Sequence, residues 1–196
     1  MKPEQRTTDH FCAKATPDGV SITRLVEGER RFVELMTYED AVERLNTGVY
    51  DERGYEGCAI HGAVSVGVSL GYFDFTDQHH VTMWRWLIAA TFINEMARAN
   101  GVEFVDGVPA AIYRNETASM TIYPAVVRLA MANHIEGELI KQCGVADGTG
   151  AAISTYIAMM DSDAGELTQS GRELLTMMFD GFIDALNDEP EAQVLH

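Results

Sequence analysis

Lysine is nearly missing from this chain. Among 196 residues it occurs only at Lys2, Lys14 and Lys141, and thirty acidic residues face fourteen basic ones, a formal charge of −16. Nucleic-acid binding rests on cations that replace phosphate counterions, so direct nucleic-acid binding is not expected. Anionic membranes are repelled for the same reason. Apolar runs of the roughly eighteen residues that a spanning helix needs are also missing. Cysteine is scarce and odd in number. Cys12, Cys58 and Cys143 form no disulfide framework, and no Cys-x-x-Cys pair offers a zinc site.

Residues 1–17 are polar and mixed in charge, without the apolar region of a signal peptide, so the expected location is cytoplasmic. They are read as a flexible N-terminal segment. A single α+β domain is expected over 18–187, and a flexible tail over 188–196.

Val20 to Val26 and Arg30 to Met36 alternate around Glu27-Gly28-Glu29, which predicts a hairpin. Thr37 can cap a short helix with Glu39 and Asp40 in its first turn, Val42 and Leu45 inward, and Gly48 at its end. Tyr50 to Gly57 reads as a polar loop. In the following stretch two periods compete. With period two, Cys58, Ile60, Val64, Val66, Val68 and Leu70 share one face of a strand. With period four, Ala59, Ala63, Gly67 and Gly71 form a small stripe, as on a helix packed close to a neighbour. Valine and glycine disfavour a helix interior, so a strand is the expectation.

Thr76-Asp77 opens a helix that runs to Asn100, with Gly101 as its stop. Its apolar residues, among them Trp86, Leu87 and Ile93, spread around the circumference, which predicts a buried central helix. Asp106-Gly107 marks a second hairpin, with Pro109 at an edge or bulge. Ser119 can cap a helix to Cys143, a shorter helix covers Ala151 to Met160, and Ser170 with Glu173 forms a capping box for a last helix from Gly171. The sum is an α+β fold: two hairpins and a central strand around a buried helix, then a helical C-terminal half.

No complete catalytic signature is present. Gly-x-Ser-x-Gly is absent, and Gly144-x-x-x-Gly148-x-Gly150 lacks the Lys-Ser or Lys-Thr of a phosphate loop. Asp161-Ser162-Asp163 has the opening of a calcium loop, but Arg172 stands where the bidentate glutamate is needed, so no metal is expected there. His79-His80, near Asp74 and Asp77, reads as a solvated first turn, and His134 with Glu138 as a surface pair. No cofactor is implied. Cys58 is the one candidate nucleophile, with His61 among the bases that could serve it. Free cysteine is more often a small buried hydrophobe.

Asp180, Asp184 and Asp188 recur every fourth residue on the last helix, opposite Leu174, Leu175, Met178, Phe182, Ile183 and Leu186. They predict an exposed negative ridge for a basic partner. The expected function is therefore a non-enzymatic binding or inhibitor protein. It would dock on a basic protein surface, for example one that ordinarily holds nucleic acid, in the manner of mobile-element proteins that block host defences by mimicking nucleic acid. The alternative is a small cysteine-dependent hydrolase or transferase using Cys58 and a histidine. Self-association through the apolar helix and the methionines is a third reading.

Overall fold

The computed structural model describes residues 11–47, 55–105 and 108–188. The fold is α+β, in two compact units. One holds the chain up to Leu87 together with Asp161–Glu166, and the other holds Ile88–Met160 and the chain from Leu167.

The first unit starts with an antiparallel sheet of β1 (Phe11–Thr16), β2 (Gly19–Val26) and β3 (Glu29–Met36), in that order. The expected hairpin is β2–β3. Its turn residues Glu27 and Gly28 both have positive φ, 54° and 83°, as a two-residue type I′ turn requires. β1 lies within the segment read as flexible, and it adds a strand to the predicted pair. Ala15 pairs with Val20 and Val20 with Met36, all three buried, so these positions define the inner face. The register shifts between Ile22 and Thr23. Ile22 faces Glu34 while Thr23 faces Phe32, which leaves Val33 as the extra residue of a β-bulge.

After β3 comes α1 (Tyr38–Thr47), as predicted. Thr37 caps it: the Asp40 amide donates to the Thr37 hydroxyl at 3.1 Å, and that hydroxyl donates to the Asp40 carboxylate at 2.7 Å. Val42 and Leu45 are buried. The predicted stop at Gly48 and most of the loop before Gly57 lie outside the described residues.

The expected central strand is a helix, α2 (Tyr55–Ser69). Packing overrides the propensity of its valines. Ala63 and Gly67 of the small stripe are buried, and a Cβ on Gly67 would collide with the Tyr38 ring and hydroxyl. The glycine thus admits a tyrosine against the helix backbone. Tyr38 donates to the Thr16 carbonyl at 2.8 Å and packs edge-on against Phe73, 5.0 Å between centroids.

The long helix α3 (Gln78–Asn100) contributes its first half to this unit and its second half to the other. Asp77 caps its start and Gly101, φ 110°, ends it. Leu87 and Ile93 are buried as expected. Of the two tryptophans it is Trp84, at 2% exposure, that is fully buried, and Trp86 is half-exposed.

In the second unit β4 (Val102–Val105), β5 (Val108–Arg114) and β6 (Ser119–Ile122) form an antiparallel sheet in that order. Pro109 pairs with Phe104 on one side only, because β6 meets β5 no earlier than Ala111. The missing amide therefore costs no ladder bond to β6. Ser119 opens β6 instead of capping a helix. The helix begins at Pro124, where the proline suits the first turn: α4 (Pro124–Met131), a π-helical turn (Ala132–Glu136) and α5 (Gly137–Cys143). α6 (Val145–Ala158) and α7 (Gln169–Asp188) complete the unit. The cap of α7 is Thr168, whose hydroxyl accepts from the Gly171 amide at 3.1 Å, two residues before the predicted Ser170. Between α6 and α7 the chain makes two short strands, β7 (Met160–Asp161) and β8 (Glu166–Leu167), where a plain helix connector was expected. Phe92, Tyr113 and Phe179 form the aromatic centre of this unit, with Phe92 stacked on Phe179 at 5.6 Å. Arg172 clamps Glu95 through two bonds of 2.6 and 3.0 Å.

Two expectations follow for stability. Gly67→Ala should destabilise by about 1–3 kcal/mol through overpacking, whereas Gly62→Ala, with open space around its Cβ position, should be neutral or gain up to about 1 kcal/mol. Urea melts of the two variants separate these outcomes, and equal effects would contradict the close Tyr38 contact. Burial, with the nearby Tyr72, pushes the Tyr38 hydroxyl up to about 12. Between pH 10 and 12 the unfolded chain ionises first, so stability should fall across that window. Tyr38→Phe should flatten part of the fall in thermal melts.

Candidate functional site

The aspartates of α7 do not form one exposed ridge. Asp180 is half-buried and accepts a hydrogen bond from the Tyr113 hydroxyl at 2.8 Å. That hydroxyl also lies 3.1 Å from the Thr176 carbonyl. Tyr113 is 3% exposed. Burial first, and the Asp180 carboxylate second, hold its hydroxyl well above the usual tyrosine range. Asp180 thus has an internal partner that binds it to β5. Asp184 is exposed, and the side chain of Asp188 lies outside the described residues.

Cys58 is exposed on the first turn of α2, not buried on a strand. It opens an exposed stripe with Gly62, Val66 and Leu70. His61 is directed elsewhere. The place where a Cβ would stand on Gly165 is 3.5 Å from His61 Cε1 and 3.1 Å from Ser65 Oγ. Among the described residues no hydrogen bond joins Cys58 to a histidine. Ser65 Oγ, beside them, is buried without a hydrogen-bond partner there. Asp161 accepts from the amides of Asp163 and Ala164, and Asp163 accepts from Ser69, so the calcium-like sequence is engaged in its own turn. His79 faces Glu39 at 3.4 Å, and His80 Nδ1 accepts from the Asp74 amide at 2.7 Å. Among the described residues no three His, Cys, Asp or Glu side chains are grouped to hold a metal, and no helix is long and apolar enough to cross a membrane.

The arrangement with the most chemistry is a groove between β3 and α1. It holds about 370 Å³ and is lined by Glu34, Leu35 and Met36 on the strand and by Asp40, Glu43 and Arg44 on the helix. The Thr37 cap sets where α1 starts, and the helix then carries Asp40 and Glu43 one turn apart on its exposed side. Arg44 reaches back to Glu34 at 3.3 Å and ties helix to strand. Three carboxylates against one guanidinium leave the groove negative. In the sequence Asp40 stood out only as a first-turn acid and Glu43 was missed, although its spacing of three from Asp40 on the predicted helix was the available signal; Glu34 joins them only through the tertiary contact.

Searches of family models, of curated proteins and of solved structures found no match to this chain.

Replacing the two described aspartates of α7 separates their roles. Asp180→Ala should destabilise by about 0.5–1.5 kcal/mol, because the buried Tyr113 hydroxyl loses its carboxylate acceptor and keeps only the Thr176 carbonyl. Asp184→Ala should stay within about 0.5 kcal/mol of wild type. Denaturant midpoints would show it, and equal effects would return Asp180 to the solvated surface.

Proposed function

We propose that this chain is a non-enzymatic binding protein that docks on a basic surface of another protein through the groove between β3 and α1. The observation that carries the reading is that Glu34, Asp40 and Glu43 line one concave site, which Met36 also lines. A lysine or arginine side chain suits such a place, since its cationic head meets carboxylates there. The chain's surplus of negative charge adds long-range steering, which raises the rate of encounter with a cationic partner. Surfaces that ordinarily hold nucleic acid are the richest in such cations, so a partner of that kind, held off its nucleic acid, fits the chemistry.

The test uses a short arginine-rich peptide followed by fluorescence anisotropy. Binding should weaken steeply with salt, because exposed charges are screened over about 8 Å at physiological ionic strength. Asp40→Asn with Glu43→Gln should weaken it about 3- to 10-fold, mainly in the association rate. Asp184→Asn should change it less. Failure of the peptide to bind at low salt, or binding indifferent to the groove substitutions, would overturn the reading.

A further inference from the structure

We infer that the groove takes its partner as a fourth strand, an extended segment that pairs with the free edge of β3 and alternates basic with apolar residues. The charge half of this inference rests on the acidic-docking reading above. The backbone half rests on the sheet.

β3 is an eight-residue edge strand that pairs with β2 alone. Among the described residues no hydrogen bond outside the sheet engages the backbone of Glu29–Met36. Such an edge presents a row of donors and acceptors to any strand that approaches. It is also unusually apolar for an open edge: Phe32 is 65% exposed, Leu35 50% and Val33 46%. The Val33 bulge interrupts the ladder, which limits indiscriminate edge-to-edge pairing.

Register assigns the two faces. Directly paired residues share a face. Glu34 and Met36 pair with Ile22 and Val20, the buried inner side, whereas Phe32 and Leu35 pair with Thr23 and Ser21 on the outer side. A strand laid beside β3 therefore points alternate side chains to two chemistries. Those on the inner side enter the groove beside Glu34, Asp40 and Glu43, where arginine or lysine is matched. Those on the outer side lie against Phe32 and Leu35, where aliphatic or aromatic residues are matched. This is strand addition between a sheet edge and a helix, with backbone bonds supplying affinity and period two supplying specificity.

Charge decides the occupant. A second copy of this chain would bring the same three carboxylates and another sixteen net negative charges to the interface. A basic strand removes that repulsion.

The experiment compares three peptides of one composition on the full-length protein: alternating Arg-Val, the same residues in two blocks, and the alternating peptide N-methylated at every second residue. The alternating peptide should bind at least about tenfold more tightly than the other two, the loss corresponding to a few backbone hydrogen bonds. Phe32→Ala with Leu35→Ala, checked for folding by circular dichroism, should weaken the alternating peptide and spare an all-arginine one. Equal affinity for all three peptides, still weakened by Asp40→Asn with Glu43→Gln, would overturn strand addition and leave acidic docking standing. Binding of none at low salt would overturn both. A chain that sediments as a dimer until Phe32 and Leu35 are replaced would give the edge to a second copy and overturn the proposed occupant.

Discussion

Tyr38 has room for its ring only because residue 67 has no side chain. That one vacancy organises the first unit. The tyrosine is the first residue of α1, its hydroxyl is bonded to Thr16 at the end of β1, and its ring lies across α2 at Gly67. Three elements are thereby fixed to one another by a single side chain. The position of α1 beside β3 follows from this anchor together with the Thr37 cap and the Arg44–Glu34 pair. The groove is the space these contacts leave. A methyl group at residue 67 would therefore act at a distance on Asp40 and Glu43, although it touches neither. Asn46 adds a further tie, donating to the Trp86 carbonyl at 3.2 Å from the end of α1.

The elements that were legible in the sequence are those with local causes. The I′ turn at Glu27-Gly28, the Thr37 cap, the Gly101 stop and the β4–β5 hairpin, whose predicted Asp106-Gly107 turn lies outside the described residues, each depend on residues close in the chain. β1 was missed, because residues 1–17 read as flexible, although Pro17-Asp18-Gly19 is a turn signal with a mechanism: proline sets φ and glycine takes the positive φ of 138°. The polar composition around it hid the strand. What could not be read were the outcomes of competition. Valine and glycine in 57–69 argue for a strand until Tyr38 and its neighbours are present to reward a small helical stripe. Ser119 and Ser170 are sound caps in isolation, yet strand pairing takes the first and Thr168 displaces the second.

The same distinction governs the candidate site. Periodicity placed Asp180 and Asp184 on one helix, but it carries no information about which aspartate a distant tyrosine will bind. Tyr113 lies 67 residues from Asp180 in sequence. Cys58 was likewise judged on a strand that does not form. Asp40 and Glu43 share a helical face in the sequence, and only the return of Arg44 to Glu34 turns that face into one wall of a groove.

At least five of the fourteen cations are held in ion pairs within the chain. Arg24 pairs with Glu56, Arg31 with Glu27 and Glu29, Arg44 with Glu34, Lys141 with Glu138 and Arg172 with Glu95. Among these pairs the Glu95 one is the most enclosed, and its carboxylate also accepts from the Leu167 amide at 3.2 Å. Cations that are so engaged cannot also neutralise the remaining acids. With thirty acidic and fourteen basic residues, sixteen carboxylates would stay unmatched even if every cation found one. Residues 11–36 are the exception. Lys14, Arg24, Arg30 and Arg31 balance Asp18, Glu27, Glu29 and Glu34 there, so the net charge lies wholly outside the sheet that offers the free edge. Under the proposed docking, a cationic partner would be drawn by the surplus charge towards a place where the backbone is available and the local balance tips negative only at the wall built by α1.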